Sequence, residues 1–217
     1  MSREGERPGL RERKKQETRI ALSWAAIRLA VERGFENVRV EDIAAEARVA
    51  PRTFNNYFSS KGEAIAARHL DRARLIAQEL RRRPASEPLW EAIKIAVVTQ
   101  LAMGESYDAR QPDQQWQTGI QLMISEPSLQ GEMLKANAIA EDELAAVIAE
   151  RTGTDVTRDL YPRLVAGAAG AAIRVAMDQW LRADPPVPIK PLIEDALGRL
   201  AAGLPEPRQP EPRQPEP

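Results

Sequence analysis

Cysteine is absent from the 217 residues, so neither a disulfide framework nor a thiolate metal site is available. Histidine occurs once, at His69, which cannot by itself form a multi-histidine metal centre or complete a Ser-His-Asp triad. No P-loop or dinucleotide fingerprint appears. No run approaches the ~18–20 consecutive apolar residues of a membrane-spanning helix. The N-terminal stretch MSREGERPGLRERKKQ is too charged for a secretory signal, which follows its basic start with an apolar run. These absences predict a cytoplasmic protein that is not an enzyme and has no membrane partner, resident metal or cofactor.

What is present is a core-forming composition, 43% hydrophobic, and an uneven distribution of charge. The formal net charge is -1, yet residues 1–83 hold 19 Lys and Arg against 12 Asp and Glu, a balance of +7. The remainder holds 12 against 20, a balance of -8. A basic front half and an acidic back half suggest that the front meets something anionic.

Nearly every segment has helical periodicity, and none alternates polar and apolar residues over a strand's length, which predicts an all-α fold. Ile20, Trp24, Ile27 and Val31 form a stripe that ends at Gly34, a natural residue just past a helix end. Two short helices follow, from about Glu41 to Ala47 and from Pro51, where proline suits the first helical turn. Ser60 and Glu63 form a capping box that opens a longer helix reaching about Arg83. Pro84 and Pro88 close it. Four more segments read as helices: one carrying Trp90, Ile93, Val97 and Leu101, one from near Pro127 to about Arg151, one from Val156 to Arg182, and one from Ile189 to Ala202. A helix broken near Pro127 is also expected over QPDQQWQTGIQLMISEP.

The boundaries expected are a flexible basic arm over 1–14, a front helical domain over 15–68, a back helical domain over 69–203, and a Pro-rich tail over 204–217. That tail, a repeat of Pro, Glu, Arg and Gln, cannot bury apolar surface and reads as disordered. The arm's Arg3, Arg7, Arg11, Arg13, Lys14 and Lys15 fit either a minor-groove contact or a solubilising tail.

The stretch RTFNNYFSSK, Arg52 to Lys61, carries the chemistry. With Phe54 turned inward, Arg52 and Asn56 each lie about 160° away on the outer face, flanked by Thr53 and Asn55. Arginine offers a forked donor suited to guanine, and asparagine a donor and acceptor suited to adenine. Tyr57 is expected at the helix edge, half buried. Lys61 adds positive charge where the next helix presents its N-terminal N–H groups, which can take a phosphate. Two short helices joined by a tight turn, the second exposing such groups, describe a helix-turn-helix.

RVEDIAAEARVAPRTFNNYFSSKGEAI resembles the DNA-binding domain of the TetR family of bacterial transcriptional regulators. The matching positions are Gly34, Phe35, Ile43, Ala44, Ala47, Val49, Thr53, Phe54, Tyr57, Phe58, Ser60 and Lys61. The resemblance implies Thr53, Tyr57 and Lys61 as phosphate contacts and Arg52, Asn55 and Asn56 as base readers. Arg39 lies close enough to reach the backbone. Arg48 stands where the family has a turn glycine, Ala50 replaces a Ser or Thr cap, and Val40 replaces a threonine.

The family also implies a helical effector domain that dimerises. Glycine costs about 1 kcal/mol inside a helix, so GAAGAA, with Gly167, Gly170 and Ala171, suggests close helix approach. With Leu192, Ala196 and Leu200 these residues are the expected dimer interface. Trp116, Ile120, Met123, Asn137 and Trp180 are the expected ligand contacts. RRRPASEPLWEAI resembles a TetR branch with an acyl-CoA-like ligand-binding domain that includes the mycofactocin-type regulators, which implies a bulky, partly apolar and anionic effector. The reading is a homodimeric repressor of a palindromic operator, released by a small molecule. The alternatives are a non-specific architectural DNA binder and an enzyme with a helical acyl-binding fold, and the missing catalytic constellation argues against the second.

Overall fold

The computed structural model describes residues 9–106, 118, 119, 121, 122, 126–184 and 187–205. Among them are eight α-helices and one short 3-10 turn, with no strand, in agreement with the all-α expectation. The helices are α1 (Leu10–Arg33), α2 (Val40–Glu46), α3 (Pro51–Asn55), α4 (Lys61–Arg82), α5 (Leu89–Ser106), α6 (Pro127–Thr152), α7 (Leu160–Arg182) and α8 (Ile189–Ala201). The 3-10 turn spans Phe35–Asn37 between α1 and α2.

Helix α1 begins at Leu10, so the C-terminal part of the expected arm is helical. It ends where Gly34 takes φ 81°, a region that side chains disfavour, and the Gly34 N–H bonds Ala30 O at 3.0 Å. Asn37 Nδ2 then caps the Arg33 carbonyl at 2.7 Å. The start of α4 keeps its expected cap with one change of partner. Ser60 Oγ accepts from the Glu63 N–H at 3.0 Å. The Glu63 carboxylate reaches one residue further back than a simple capping box, taking the Ser59 N–H at 2.7 Å and its hydroxyl at 2.6 Å.

Two apolar cores result. The N-terminal one gathers Leu22, Ala26 and Leu29 of α1, Phe35, Ile43 of α2, Phe54 and Phe58 beside α3, and Ile65 of α4. The C-terminal one gathers Leu80 of α4, Ile93 and Val97 of α5, Ile148 of α6, Val165, Ala169 and Trp180 of α7, and Ile193 and Leu197 of α8. Helix α4 runs through both, and it packs most extensively against α6.

The boundary between cores is not the boundary in sequence. Leu129, in the first turn of α6, is fully buried in the N-terminal core, and Leu122 packs on it as well. Approach there is close. A Cβ on Gly62 would lie 3.3 Å from Leu129 Cδ2 and 3.2 Å from Glu132 Cγ. Ser128 Oγ adds a 2.8 Å bond to Glu36 Oε1 in the 3-10 turn. The C-terminal half thus contributes a side chain to the N-terminal half's core.

Candidate nucleic-acid interface and effector half

Helix α3 is short, and two aromatic anchors hold it to the core. Phe54 is fully buried and Phe58 nearly so, with ring centroids 5.7 Å apart. That leaves Arg52, Asn55 and Asn56 exposed, with Asn56 as the residue closing the helix. Thr53 and Tyr57 are half buried at its edge, and the Tyr57 ring tilts against Phe58 at 6.5 Å. The outward groups are thus a guanidinium and two carboxamides, the set that reads base edges. Arg39 is exposed at the start of α2, where its N–H donates to Asp42 Oδ2 at 3.0 Å.

Lys61 sits apart from this set. Its ammonium donates to the carbonyls of Phe35 at 2.7 Å, Val38 at 3.1 Å and Glu36 at 3.4 Å. It also lies 4.2 Å from the centroid of the Phe35 ring. Lys61 therefore ties α4 to the 3-10 turn and spends its donors inside the domain, where the resemblance implied a phosphate contact. Sequence spacing could not reveal this, because the acceptors are backbone carbonyls more than twenty residues away.

The turn between α2 and α3 carries two of the three departures, Arg48 and Ala50. Arg48 adopts φ 58°, the left-handed region, as expected for a residue in a glycine position. Ala50 precedes α3 with no side-chain cap. Ala50→Ser is expected to raise stability by about 1 kcal/mol. Urea denaturation checks this, and an unchanged midpoint would contradict a missing cap.

Two clamps hold α1 to α4 behind the reader. Arg19 Nη1 bonds both carboxylate oxygens of Asp71, at 2.7 and 2.8 Å, with both side chains largely buried. The Arg68 guanidinium stacks 4.8 Å over the Trp24 ring. Further along, α4 is tied to α6 by Arg74–Glu143 at 2.9 Å and Arg81–Glu150 at 2.8 Å. The Arg151 guanidinium donates to the carbonyls of Arg83, Pro84 and Glu87 at the end of α4.

Of the expected ligand contacts, Trp116, Ile120 and Met123 lie outside the described residues. Trp180 is buried in the C-terminal core. Asn137, on α6, is half buried and hydrogen-bonds His69 on α4. Burial pushes the His69 imidazole below its ordinary pKa, partly offset by that hydrogen bond, with Arg72 nearby acting in the same direction as burial. The two polar residues form a link between α4 and α6 that neither periodicity nor spacing would pair.

The expected dimer residues divide. Gly167 has open space where a Cβ would stand, and Ala171 is half buried. Gly170 faces its own chain, with Glu141 Oε1 at 3.2 Å from a would-be Cβ. Leu192, Ala196 and Leu200 are half buried against the chain's own core. The apolar surface that α7 leaves open is instead carried by Leu160, Leu164 and Val175, at 75, 61 and 61% exposure. With Ala168 and Ala171 these fall within a sector of about 80° of the helix. Their spacing is readable in the sequence, but the glycines beside them are the more conspicuous signal.

A reading helix held by buried aromatic rings, attached through a shared core to a separate helical bundle, defines a DNA-binding regulator. Residues 24–67 match the family described as bacterial regulatory proteins, tetR family, and residues 87–205 match the MftR C-terminal domain. The HTH-type transcriptional regulator TcmR of Streptomyces glaucescens is 35% identical over 183 residues, 82% of this chain and 79% of that protein. The chain belongs to the TetR family of transcriptional regulators. Its fold is similar to that of Thermus thermophilus FadR in complex with lauroyl-CoA, with TM-score 0.55 and 18% identity over 90% of this chain and all of that one. It is also similar to the SmeT–triclosan complex, with TM-score 0.59 and 18% identity over the same shares. SmeT is the repressor of a Stenotrophomonas maltophilia multidrug efflux pump. No described helix is long and apolar enough to cross a membrane.

Proposed function

We propose that the chain is a repressor that reads a palindromic operator as a homodimer and leaves it when a small effector binds. The observation that carries the DNA-reading part is the outward set on α3: Arg52 and Asn56 exposed on the side opposite a fully buried Phe54, with Asn55 exposed at their flank. Thr53, Tyr57 and Arg39 stand at the rim of that face, where phosphate contacts set register. Lys61 supports the reader from within.

The exposed leucine and valine stripe of α7 supports the dimer, because a contiguous apolar face of this size is normally covered by a partner. Two identical readers suit two half-sites on one face of DNA. The effector proposed is bulky and largely apolar, of an acyl-CoA-like kind. What supports it is the match of residues 87–205 to the MftR C-terminal domain, together with the fold likeness to a regulator holding lauroyl-CoA. Release requires that the effector bind the DNA-incompetent state more tightly than the competent one. The ties between α4 and α6, including His69–Asn137, are the contacts through which a filled effector half would shift the readers.

Selection of bound duplexes from a random pool, at low and near-physiological salt, tests the reading. A palindrome that survives the higher salt is expected. Arg52→Ala or Asn56→Ala should then cost about 1–3 kcal/mol at particular base pairs. Uniform weakening across all sequences would favour an architectural DNA binder. Equal effector affinity for free and operator-bound protein, measured by calorimetry, would rule out release.

A further inference from the structure

Arg48 is the one described non-glycine residue besides Leu204 that holds a left-handed backbone, at φ 58°. For an arginine this costs roughly the left-handed penalty that glycine avoids. The turn has every means of fixing its path without that side chain. The Arg48 N–H bonds Ala45 O at 3.0 Å, the Val49 N–H bonds Ala44 O at 2.9 Å, and Val49 packs on the N-terminal core. The arginine side chain contributes to none of this. It is exposed and forms no hydrogen bond or ion pair among the described residues. The nearest acidic residue in sequence, Glu46, is committed to Arg28 at 2.5 Å. A strained backbone that carries an exposed, unpartnered charge suits a contact outside the chain.

The position says what that is. Recognition helices enter the major groove with their N-terminal residues at the base edges. The residue three before the first residue of α3 then stands beside the groove wall, which is the phosphate backbone. Thr53, Tyr57 and Arg39 stand at the rim of α3, but the turn side of the domain offers few other phosphate donors. Val40 and Ala50 carry no hydroxyl, and Lys61 spends its ammonium on the carbonyls of Phe35, Glu36 and Val38.

We propose that Arg48 is a phosphate-binding residue of the DNA interface, aimed by its left-handed turn, in a domain whose Val40 and Ala50 offer no hydroxyl and whose Lys61 ammonium is engaged by backbone carbonyls. The proposal rests on the DNA-reading function above. It adds affinity and register without base preference, since a phosphate contact carries no sequence information.

The test compares Arg48→Gly, Arg48→Asn and Arg48→Lys in the full chain, binding both the selected operator and a scrambled duplex across a salt series. Glycine and asparagine accept the left-handed turn, so these variants fold, and Arg48→Gly should melt at the same or a higher temperature. Both should weaken binding to the two duplexes alike, by about tenfold, or ~1.4 kcal/mol. For a dimer with two such arginines, the slope of log K against log salt should fall by about 0.9 for each phosphate no longer neutralised. Arg48→Lys should keep most of the slope. Wild-type affinity and slope in Arg48→Gly, with base discrimination still abolished in Arg52→Ala, would overturn the proposal and leave the reader intact. Weakening confined to particular base pairs would also overturn it, making Arg48 a base reader. Failure of the unmodified chain to bind any duplex would overturn both readings.

Discussion

Leu129→Ala is expected to destabilise the protein by about 2–5 kcal/mol, a core-sized loss from a residue that sequence assigns to the other domain. Leu129 is fully buried, and its neighbours include the Phe35, Phe54 and Ile65 core that positions α3. Trimming it opens a cavity beside Gly62, where the backbones of α4 and α6 come close enough that a Cβ would meet Leu129 Cδ2 at 3.3 Å. Collapse into the cavity is restricted, because α4 is held on its other side by Arg19–Asp71 and farther along by Arg74–Glu143. Gly62→Ala alone should also destabilise, by crowding the same contact. Combined with Leu129→Ala it should cost less than the sum, with a coupling of about 0.5–3 kcal/mol. Denaturant unfolding of the four proteins checks both numbers. A Leu129→Ala cost below about 0.5 kcal/mol, the range of surface substitutions, would mean the two halves do not share a core.

The functional consequence follows from the same contact. If α6 shifts on effector binding, Leu129 and Ser128 carry the movement directly into the 3-10 turn and the start of α4. Helix α4 is therefore not the sole route between the halves. A Leu129→Ala protein that still folds should bind operator but respond weakly to effector.

Local features of this fold were legible because they depend on neighbours in sequence. The Phe54 and Phe58 spacing fixed which face of α3 is outward, Pro51 marked its start, and Gly34 marked the end of α1. The expected limits of α6 and α8 differ from those observed by a residue or so, while α7 begins at Leu160, four residues later than expected. The residues from Asp155 to Asp159 that precede α7 form a turn of their own, in which the Asp155 carboxylate takes the Thr157 N–H and hydroxyl. Short polar side chains of this kind compete with helix, which periodicity over apolar positions does not register.

Partners distant in sequence were not legible. Nothing in the sequence around Leu129 tells that it belongs to the N-terminal core, beside Gly62 of α4. The Lys61 side chain is indistinguishable in sequence from a phosphate contact, because the carbonyls that capture it are a product of the folded turn. Gly170 has the same character as Gly167, yet one faces Glu141 and the other open space, a difference set by where α6 crosses. Leu192, Ala196 and Leu200 share one face of α8, and in the single chain that face is half buried against its own core. The outward placement of the candidate readers Arg52, Asn55 and Asn56 escaped this ambiguity, because exposure can be deduced from the aromatic residues that are buried.

Replacing Leu164 and Val175 together by Asp should separate the dimer and weaken operator binding by about 10²–10⁴-fold, the gain that linking two binding sites confers. Both side chains are 61% exposed in the single chain, so charge there costs the monomer little. In a two-fold dimer built on α7 the same face meets its own copy, and each introduced carboxylate would be buried near another. Desolvation and like-charge repulsion then act together, and neither has a partner to offset it. In such a dimer the small Gly167 and Ala171 would let the helices approach closely, leaving little room for water beside the carboxylates. Sedimentation should give a mass near the 24.1 kDa of one chain for the variant and twice that for the parent. Binding to an isolated half-site should be unchanged, because α3 and its core are distant from α7 and packed in a separate cluster. A variant that remains a dimer would move the interface off this stripe. A monomer that keeps full operator affinity would mean that one reader suffices, and the palindrome would then have no structural cause.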